Sequence, residues 1–364
     1  MPHFTPKQGW LNDPNGLVYF KGAYHAFYQY CPSLPATRNK WWGHAVSTDL
    51  VHWDEWEPAL KNDTPADENG VWSGSAIVRD DTLYLFYTGL REEGQGTESY
   101  VDGHGRFGIC LATSTDGVHF VKHSSNPLIP LYPPDGDKTM RDPSVSCRDG
   151  VYYMALAARQ GLLYRSDDLI RWDYVGVPLP TGAIECPDLR PFGDGDDYLY
   201  IFSQGELAGV DTVTKFAVGR FDGKTFTPRL VGGPERGPHF YAPQTLRAPD
   251  GRTLMLGWMY AFVDGRPHGN GTPPVAGVDG QLSIPREITV RDGKICSYPP
   301  AEWWGLLADS DPDVVVTADS VELTVSWHEP LVYRGEVREV KVYREANMLE
   351  VFINRGEAVF SYCY

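Results

Sequence analysis

Three acidic residues lie beside or near proline in short motifs that are far apart in the chain. They are Asp13 in WLNDPNG (10–16), Asp142 in MRDPSVS (140–146) and Glu185 in IECPDL (184–189). Proline biases the residue before it toward an extended conformation and cannot donate a hydrogen bond. We therefore expect Asp13 and Asp142 to be held extended at the start of a strand. Grouped carboxylates serve either as ligands of a hard metal ion or as the acid and base at a glycosidic bond.

Taken alone, Asp13 has an ordinary structural explanation. Asn-Asp-Pro and Asn-Gly are common turn sequences, and the apolar run 17–20 follows directly. A polar turn that leads into a strand accounts for this pattern. A functional interpretation therefore depends on whether the fold brings the other two acids to the same place.

The sequence favours glycosidic chemistry over a metal site. Ca²⁺ and Mg²⁺ sites draw several oxygen ligands, often from one Asp-rich loop, and no such loop is evident; we expect neither a metal nor an organic cofactor. Glycoside cleavage uses one ionised carboxylate and one protonated carboxylic acid, with aromatic and amide groups that hold the sugar. Each such aromatic residue alone is more often a core residue, but aromatic and amide residues occur together at the predicted blade openings: Trp10, Asn12, Gln29, Trp72, Tyr241 and Trp258.

Short strands that recur along the chain must position these acids. Apolar, aromatic-rich strands are predicted at 24–30, 82–89, 150–158, 197–205 and 252–259. A Ser/Arg-x-Asp turn followed by an aromatic residue comes after the first four of them, at 45–53, 111–120, 164–172 and, more loosely, 218–226. Repetition about every 50 residues is typical of propellers, whose four-stranded blades bury their faces against one another. Two stacked sandwiches would not explain the repeated turn, so we predict an all-β fold with a five-bladed β-propeller over residues 1–298.

The pattern changes after residue 298. Segments such as 321–327 and 349–354 alternate apolar and polar residues with period two, as half-buried antiparallel strands do. We predict a short C-terminal β-sandwich over residues 299–364.

A propeller would bring the three acids together, because the innermost strand of each blade lines a central channel. The predicted blades open near residues 10, 71, 140, 184 and 240, so Asp13, Asp142 and Glu185 would face one another. Their mutual repulsion would raise the pKa of at least one of them. Arg141 would offset part of that charge.

The bulk composition excludes several classes of function. A net charge of −16 argues against nucleic-acid and anionic-membrane partners, which need a basic surface. No apolar stretch approaches the roughly 20 residues of a membrane span, and we expect no secretory leader before residue 10. The six cysteines form no CxxC pattern, which predicts reduced thiols in a cytoplasmic protein.

Taken together, the motifs resemble glycoside hydrolase family 32, which includes invertases, levanases and inulinases. The similar segments, in order, are WLNDPNG, FYQY, WWGHAVSTDLVHW, VWSGSA, FYTG, RDP, ECPD, FYAPQT, GWM and LSIPRE. The resemblance implies that Asp13 is the nucleophile, Glu185 the general acid and base, and Asp142 the stabiliser of the transition state. The predicted substrate-binding residues are Asn12, Gln29, Trp42, Trp72, Ser73, Arg141, Tyr241 and Trp258.

Several positions depart from the family's pattern and concern the walls of the pocket, among them Trp41, where the family usually has His. Cys31 follows FYQY where the family often has Asn, Thr37 stands where a Trp is common, and Val278 begins a segment that usually reads Trp-x-Gly. The insertion 263–277 reads as a solvated loop near the mouth.

The predicted function is retaining hydrolysis of β-fructofuranosides such as sucrose or short fructans. The alternatives are a fructosyltransferase that uses the same covalent intermediate, a non-catalytic carbohydrate-binding propeller, and an inverting furanosidase on a similar propeller. A purely structural propeller would lack the convergent acids. The pairs Asn12-Asp13 and Glu185-Cys186 disfavour the inverting enzyme.

Overall fold

The computed structural model describes residues 3–34, 36, 39–92, 105–129, 139–259, 261–263, 266–268, 278–324, 330–345 and 347–364. Over these residues the chain forms thirty β-strands and one 3₁₀ helix, Ala301–Leu306. The prediction of an all-β fold is confirmed. In the described part of the chain, no helix has the length and apolar character needed to span a membrane.

Five antiparallel sheets follow one another along the chain and are called sheets 1 to 5 in chain order. Sheet 1 contains β1 (Gly9–Phe20), β2 (Ala23–Cys31), β3 (Trp41–Ser47) and β4 (Asp54–Leu60). Sheet 2 contains β5 (Gly70–Arg79), β6 (Thr82–Glu92), β7 (Gly105–Ser114) and β8 (Val121–Lys122). Sheet 3 contains β9 (Arg141–Arg148), β10 (Val151–Ala157), β11 (Leu162–Ser166) and β12 (Asp173–Gly176). Sheet 4 contains β13 (Ile184–Phe192), β14 (Asp197–Gln204), β15 (Thr214–Phe221) and β16 (Phe226–Gly232).

Sheet 5 is interrupted by short excursions. It begins with β17 (Tyr241–Arg247) and β18 (Thr253–Met259), after which β19 (Ala261–Val263) and β20 (Arg266–His268) form a separate hairpin. The next two strands are β21 (Val278–Asp279) and β22 (Gln281–Leu282). The sheet is completed by β23 (Arg286–Arg291) and β24 (Lys294–Tyr298). β22 pairs with β18, whereas β21 pairs in parallel with β1 of sheet 1.

The first strands of the five sheets contact one another in sequence. β1 contacts β5, β5 contacts β9, β9 contacts β13 and β13 contacts β17. β17 in turn contacts β1, and the β21–β1 pairing joins the segment before β22 to the same strand. The starts of all five strands therefore lie around a common centre.

Each of these five first strands has a break in its pairing register near its start. The breaks fall at Asn12-Asp13, Ser73, Asp142-Pro143, Cys186-Pro187 and Ala242-Pro243. A β-bulge leaves its extra residue outside the ladder and re-aims the side chain. Two of the bulges contain the acids Asp13 and Asp142, and a third directly follows Glu185.

The expectation that proline keeps the residue before it extended is wrong for Asp142. Asp142 has a left-handed φ of 54°, and Cys186 and Ala242, which also precede proline, have φ values of 46° and 47°. A left-handed conformation costs a non-glycine residue about 1 to 2 kcal/mol, so it needs support. The support is a hydrogen bond from each backbone N–H to a side chain of the preceding sheet: Asp142 to Thr88 Oγ1 (2.9 Å), Cys186 to Asp142 Oδ2 (3.1 Å) and Ala242 to Ser203 Oγ (3.2 Å).

The repeated Ser-x-Asp motif forms the turn that ends the third strand of sheets 1 to 3. Ser47, Ser114 and Ser166 are buried, and each hydroxyl accepts the backbone N–H three residues later at 2.8 to 2.9 Å. The aspartate two residues after each serine caps further N–H groups at 2.8 to 2.9 Å. The motif is therefore structural, and it recurs because the same corner recurs.

Two three-stranded sheets follow sheet 5. One contains β25 (Val314–Val316), β26 (Ser320–Leu323) and β27 (Leu331–Arg334); the other contains β28 (Val340–Glu345), β29 (Met348–Ile353) and β30 (Ala358–Cys363). Val321 and Leu323 of the first sheet and Val351 and Phe360 of the second belong to one buried hydrophobic cluster. The two sheets thus share a core.

A buried polar network attaches this C-terminal region to sheet 5. Arg286 is fully buried, and its guanidinium donates to Glu235 (2.7 Å), Glu350 (2.5 Å) and Ser361 (2.7 Å). His3, near the N-terminus, bonds the other oxygen of Glu350 at 2.8 Å. Buried charges are tolerated only when they are paired and hydrogen-bonded, and this network meets both conditions.

Candidate active site

The structure brings Asp13, Asp142 and Glu185 together at the starts of β1, β9 and β13. The thiol of Cys186 joins two of them, with Sγ 3.5 Å from Asp13 Oδ2 and 3.6 Å from Asp142 Oδ2. Arg141 joins the other pair, with Nη2 2.8 Å from Glu185 Oε1 and Nε 3.7 Å from Asp142 Oδ2. Three acids from three different sheets therefore form one cluster.

Asp13 is surrounded by neutral donors. Ser73 Oγ donates to its Oδ2 at 2.6 Å and Gln29 Nε2 donates to the same oxygen at 3.4 Å. Gln29 also donates to Ser73 Oγ, which fixes both donors. Burial raises the pKa of Asp13, and the charge of Glu185 adds to that effect, while the hydrogen bonds from Ser73 and Asn12 oppose it.

Glu185 is held at both carboxylate oxygens. Arg141 donates to Oε1, and the hydroxyl of Tyr241 donates to Oε2. Gln204 Nε2 donates in turn to the Tyr241 hydroxyl at 3.1 Å. The Glu185 side chain is 35% exposed, whereas that of Asp142 is 7% exposed. Glu185 is thus fixed in orientation yet open to an incoming molecule.

Asp142 is the acid most enclosed by protein. Burial raises its pKa to about 6, the Arg141 guanidinium opposes this rise, and the charge of Asp13 adds to it. Its Oδ2 accepts the backbone N–H of Cys186 at 3.1 Å. Asp142 is therefore a fixed acceptor whose charge depends on pH in the weakly acidic range.

Aromatic side chains surround this cluster. The rings of Trp10 and Trp258 pack edge to face with centroids 5.8 Å apart, and Tyr241 packs on Trp258 at 6.4 Å. Trp10 Nε1 donates to Asn12 Oδ1 at 2.8 Å. Trp72 is partly exposed and packs on Phe107. Apolar ring faces beside polar groups are the surface that a sugar ring requires.

Trp42 is a correction to the predicted pocket. Its side chain is fully buried between the first two sheets, where it packs on Phe27 and Tyr87. Its Nε1 donates to the backbone carbonyl of Trp72 at 3.0 Å. Trp42 therefore cannot touch a ligand in this conformation and instead supports the strand that carries Trp72 and Ser73.

The structure describes only some of the positions that depart from the family pattern. Thr37 and most of the insertion 263–277 lie outside the described residues. Cys31 and Val278 are buried, and Val278 pairs with Gly9 of β1. Gly280 has a φ of 86°, and a Cβ there would lie 1.8 Å from the Leu11 carbonyl oxygen. Glycine is required at 280, because the segment runs directly against β1.

Sequence reasoning missed four residues of the site. Cys186 contacts two of the acids, Thr88 supports Asp142, Gln204 supports Tyr241, and Lys40 Nζ lies 3.1 Å from Asn12 Oδ1. Cys186 and Thr88 carried a local signal, because they stand inside the ECPD and FYTG motifs, whereas Gln204 and Lys40 stand in neither. Among the described residues, no group of three or more His, Cys, Asp or Glu side chains is arranged to hold a metal ion.

Comparison with known proteins identifies what this chain is similar to. Residues 3–299 match the N-terminal domain of glycosyl hydrolases family 32. Raffinose invertase from Escherichia coli is 35% identical over 363 residues, which cover 90% of this chain and 72% of that protein. Sucrose-6-phosphate hydrolase from Escherichia coli is 30% identical over 434 residues, which cover 99% of this chain and 88% of that protein.

Two solved structures superpose on almost the whole chain. A GH32 beta-fructofuranosidase from Bombyx mori superposes with a TM-score of 0.81 at 25% identity, covering 99% of this chain and 88% of that one. Sucrose-6-phosphate hydrolase from Lactobacillus gasseri superposes with a TM-score of 0.82 at 24% identity, covering 100% of this chain and 87% of that one.

Proposed function

The chain belongs to glycosyl hydrolase family 32, and on this basis we propose that it is a retaining hydrolase that releases terminal β-D-fructofuranosyl units. The proposed substrates are sucrose, its close derivatives and short fructo-oligosaccharides or fructans. The observation that carries the proposal is the cluster of three acids, in which two carboxylates meet the Cys186 thiol and the third is held by Arg141 and Tyr241.

Asp13 is the nucleophile in this proposal. Its carboxylate forms a bond to the anomeric carbon of the fructosyl unit while the bond from that carbon to the leaving oxygen breaks. The donors on Oδ2 from Ser73 and Gln29 support the role, because they stabilise the ionised form of a carboxylate that burial would otherwise protonate.

Glu185 is the general acid and then the general base. It gives a proton to the leaving oxygen in the first step and takes one from water in the second. Its exposure and its fixed orientation between Arg141 and Tyr241 suit a group that meets first the leaving group and then water. In a retaining enzyme the carboxyl groups of Asp13 and Glu185 would lie about 5 to 5.5 Å apart.

Asp142 would accept hydrogen bonds from fructosyl hydroxyls and stabilise the positive charge that develops on the ring. Asn12, Gln29, Ser73 and Arg141 would hold further hydroxyls. A second group of residues would form the apolar walls of the pocket: Trp10, Trp72, Tyr241 and Trp258.

We propose further that sheets 1 to 5 are the blades of a closed β-propeller over residues 1–298, and that residues 299–364 form a small β-sandwich. The ring of contacts between β1, β5, β9, β13 and β17 supports the propeller. The core shared by the two C-terminal sheets supports the sandwich.

Product analysis tests the function. The purified protein is incubated with sucrose, sucrose 6-phosphate, raffinose, kestose, inulin and levan, and the products are separated over time. Release of fructose as the main product supports a hydrolase. Longer fructosides as the main products would instead indicate a fructosyltransferase, and no product from any substrate would contradict the proposal.

The retaining mechanism has its own test. In the presence of methanol, a covalent fructosyl intermediate gives methyl β-D-fructofuranoside, which NMR distinguishes from the α anomer. Formation of the α anomer would contradict retention. Asp13→Asn and Glu185→Gln should each lower turnover by at least about 1,000-fold while thermal unfolding stays cooperative; wild-type-like activity of either variant would overturn the assignment.

A further inference from the structure

Lys40 places a cation beside the predicted nucleophile. It stands directly before β3, is partly buried, and its Nζ lies 3.1 Å from Asn12 Oδ1. The same amine lies over the ring of Trp10, 5.1 Å from the ring centroid, which is a favourable cation–π position. Two separate contacts thus hold the amine at the start of β1.

These contacts determine the orientation of the Asn12 amide. Its Oδ1 accepts from Lys40 Nζ at 3.1 Å and from Trp10 Nε1 at 2.8 Å. An amide oxygen has two lone pairs, so both are used by these donors. The amide nitrogen then faces the other way, and the Asn12 side chain hydrogen-bonds Asp13. Lys40 therefore reaches Asp13 through one intervening side chain.

Lys40 also acts on Asp13 through its charge. Burial lowers the pKa of Lys40, and the charges of Cys31 and Asp13 oppose that effect. The same attraction between opposite charges favours the ionised form of Asp13. The other titratable groups that face this pair are carboxylates, thiols and one guanidinium: Asp142, Glu185, Cys31, Cys186 and Arg141. Arg141 donates directly to Glu185. Among the residues that the structure describes, Lys40 is therefore the cation on the Asp13 side of the cluster.

We propose that Lys40 is a positioning residue for the nucleophile, which it holds in its ionised form and aims through Asn12. This inference rests on the proposed function, since it takes Asp13 as the nucleophile. Burial lowers the pKa of Lys40 to about 8, so the amine is charged throughout the weakly acidic and neutral range.

The test compares three variants. Lys40→Met keeps the apolar stem and removes the charge and the donor, whereas Lys40→Arg keeps both. Lys61→Met is the matched control, because Lys61 also lies 5.1 Å above a tryptophan ring, that of Trp41, but is exposed and has no contact with Asn12 in the described residues.

The readout is the pH profile of kcat/KM on sucrose and on sucrose 6-phosphate. Lys40→Met should lower kcat/KM on both substrates by about tenfold at pH 5 and by less at pH 7, because a smaller fraction of Asp13 stays ionised in the acidic range. Lys40→Arg and Lys61→Met should stay within about twofold of wild type. A Lys40→Met profile that coincides with wild type would overturn the proposal. So would a loss confined to sucrose 6-phosphate, because it would show that Lys40 binds a phosphate group.

A second measurement does not depend on turnover. The titration of Asp13 is followed by ¹³C NMR of carboxyl-labelled aspartates, with the Asp13 signal identified by its absence in Asp13→Asn. The midpoint should rise in Lys40→Met and stay unchanged in Lys61→Met. Absence of fructose release by wild type would contradict the proposed function, whereas an unchanged midpoint would contradict the role of Lys40.

Discussion

Cys186 donates to Asp142 twice: its backbone N–H lies 3.1 Å from Asp142 Oδ2, and its thiol lies 3.6 Å from the same oxygen. The two residues belong to neighbouring sheets, and both have left-handed backbone conformations. The position of each residue therefore depends on the other, although β9 and β13, the strands that carry them, do not pair with each other.

The thiol should matter for activity. Cys186→Ala removes the contacts with Asp13 and Asp142 and leaves the backbone N–H in place, so kcat should fall by about tenfold, which corresponds to about 1.4 kcal/mol. Cys186→Ser, which keeps a donor, should retain more activity. Cys147→Ala, on β9 but away from the cluster, should leave kcat unchanged, and an equal loss in that control would contradict a specific role for Cys186.

Activity should fall as the pH falls through about 6. Burial raises the pKa of Asp142 to about 6, and an aspartate is ionised above its pKa and neutral below it. Protonated Asp142 no longer offers a full negative charge to the developing positive charge on the ring. The measurement is kcat/KM on sucrose from pH 4 to pH 8. A profile that stays flat down to pH 4 would contradict this role.

Thr88 should be needed for both stability and activity. Its fully buried hydroxyl accepts the Asp142 N–H at 2.9 Å and donates to the Ser73 carbonyl oxygen at 3.0 Å. Thr88→Val keeps the shape but leaves a buried N–H and a carbonyl without this partner, which should cost about 1 to 3 kcal/mol in the free energy of unfolding. Urea unfolding and kcat measure the two effects. Thr88→Ser should restore most of both, and a Thr88→Val variant with unchanged unfolding would refute the prediction.

His3 should stabilise the fold in a defined range of pH. Burial lowers its pKa, but the hydrogen bonds and charges of Glu345 and Glu350 outweigh this and raise the pKa to about 9. A pKa raised above the ordinary value of about 6.5 contributes stability that is fully present below pH 6.5 and is lost as the pH rises through about 9.

The variant that tests this contribution of His3 to stability is His3→Gln. It should lower the free energy of unfolding by about 2 kcal/mol at pH 6 and by much less at pH 9.5, as measured by urea unfolding at the two pH values. A deficit of equal size at both would mean that packing, and not charge, accounts for the loss.

The sequence was sufficient to predict what depends on short motifs. The clustering of Asp13, Asp142 and Glu185 could be predicted because each stands in a distinctive local context. The repeated sheets were predicted because the corner formed by Ser47, Ser114 and Ser166 recurs in the first three of them, with a looser copy at 218–226. Both signals lie within a few neighbouring residues, and the repeat is visible in a single chain.

The errors and omissions concern contacts between distant segments. Trp42 stands in one of the segments that resemble the family, but its burial depends on how sheet 1 packs on sheet 2. The left-handed φ of Asp142 contradicts the local preference before proline, because Thr88, 54 positions earlier, holds the N–H. Lys40 carries no motif at all; only its distance from Asn12 reveals it. Local preferences do not contain such information.

The hydrogen bonds that support the left-handed residues all point to the preceding sheet: Asp142 N–H donates to Thr88, Cys186 N–H to Asp142 and Ala242 N–H to Ser203. Each sheet after the second therefore receives its local geometry from the sheet before it. A partly assembled chain would contain its strands but would leave these backbone groups unsupported. During refolding, secondary structure should therefore return first, and catalytic competence should appear only with the last docking step.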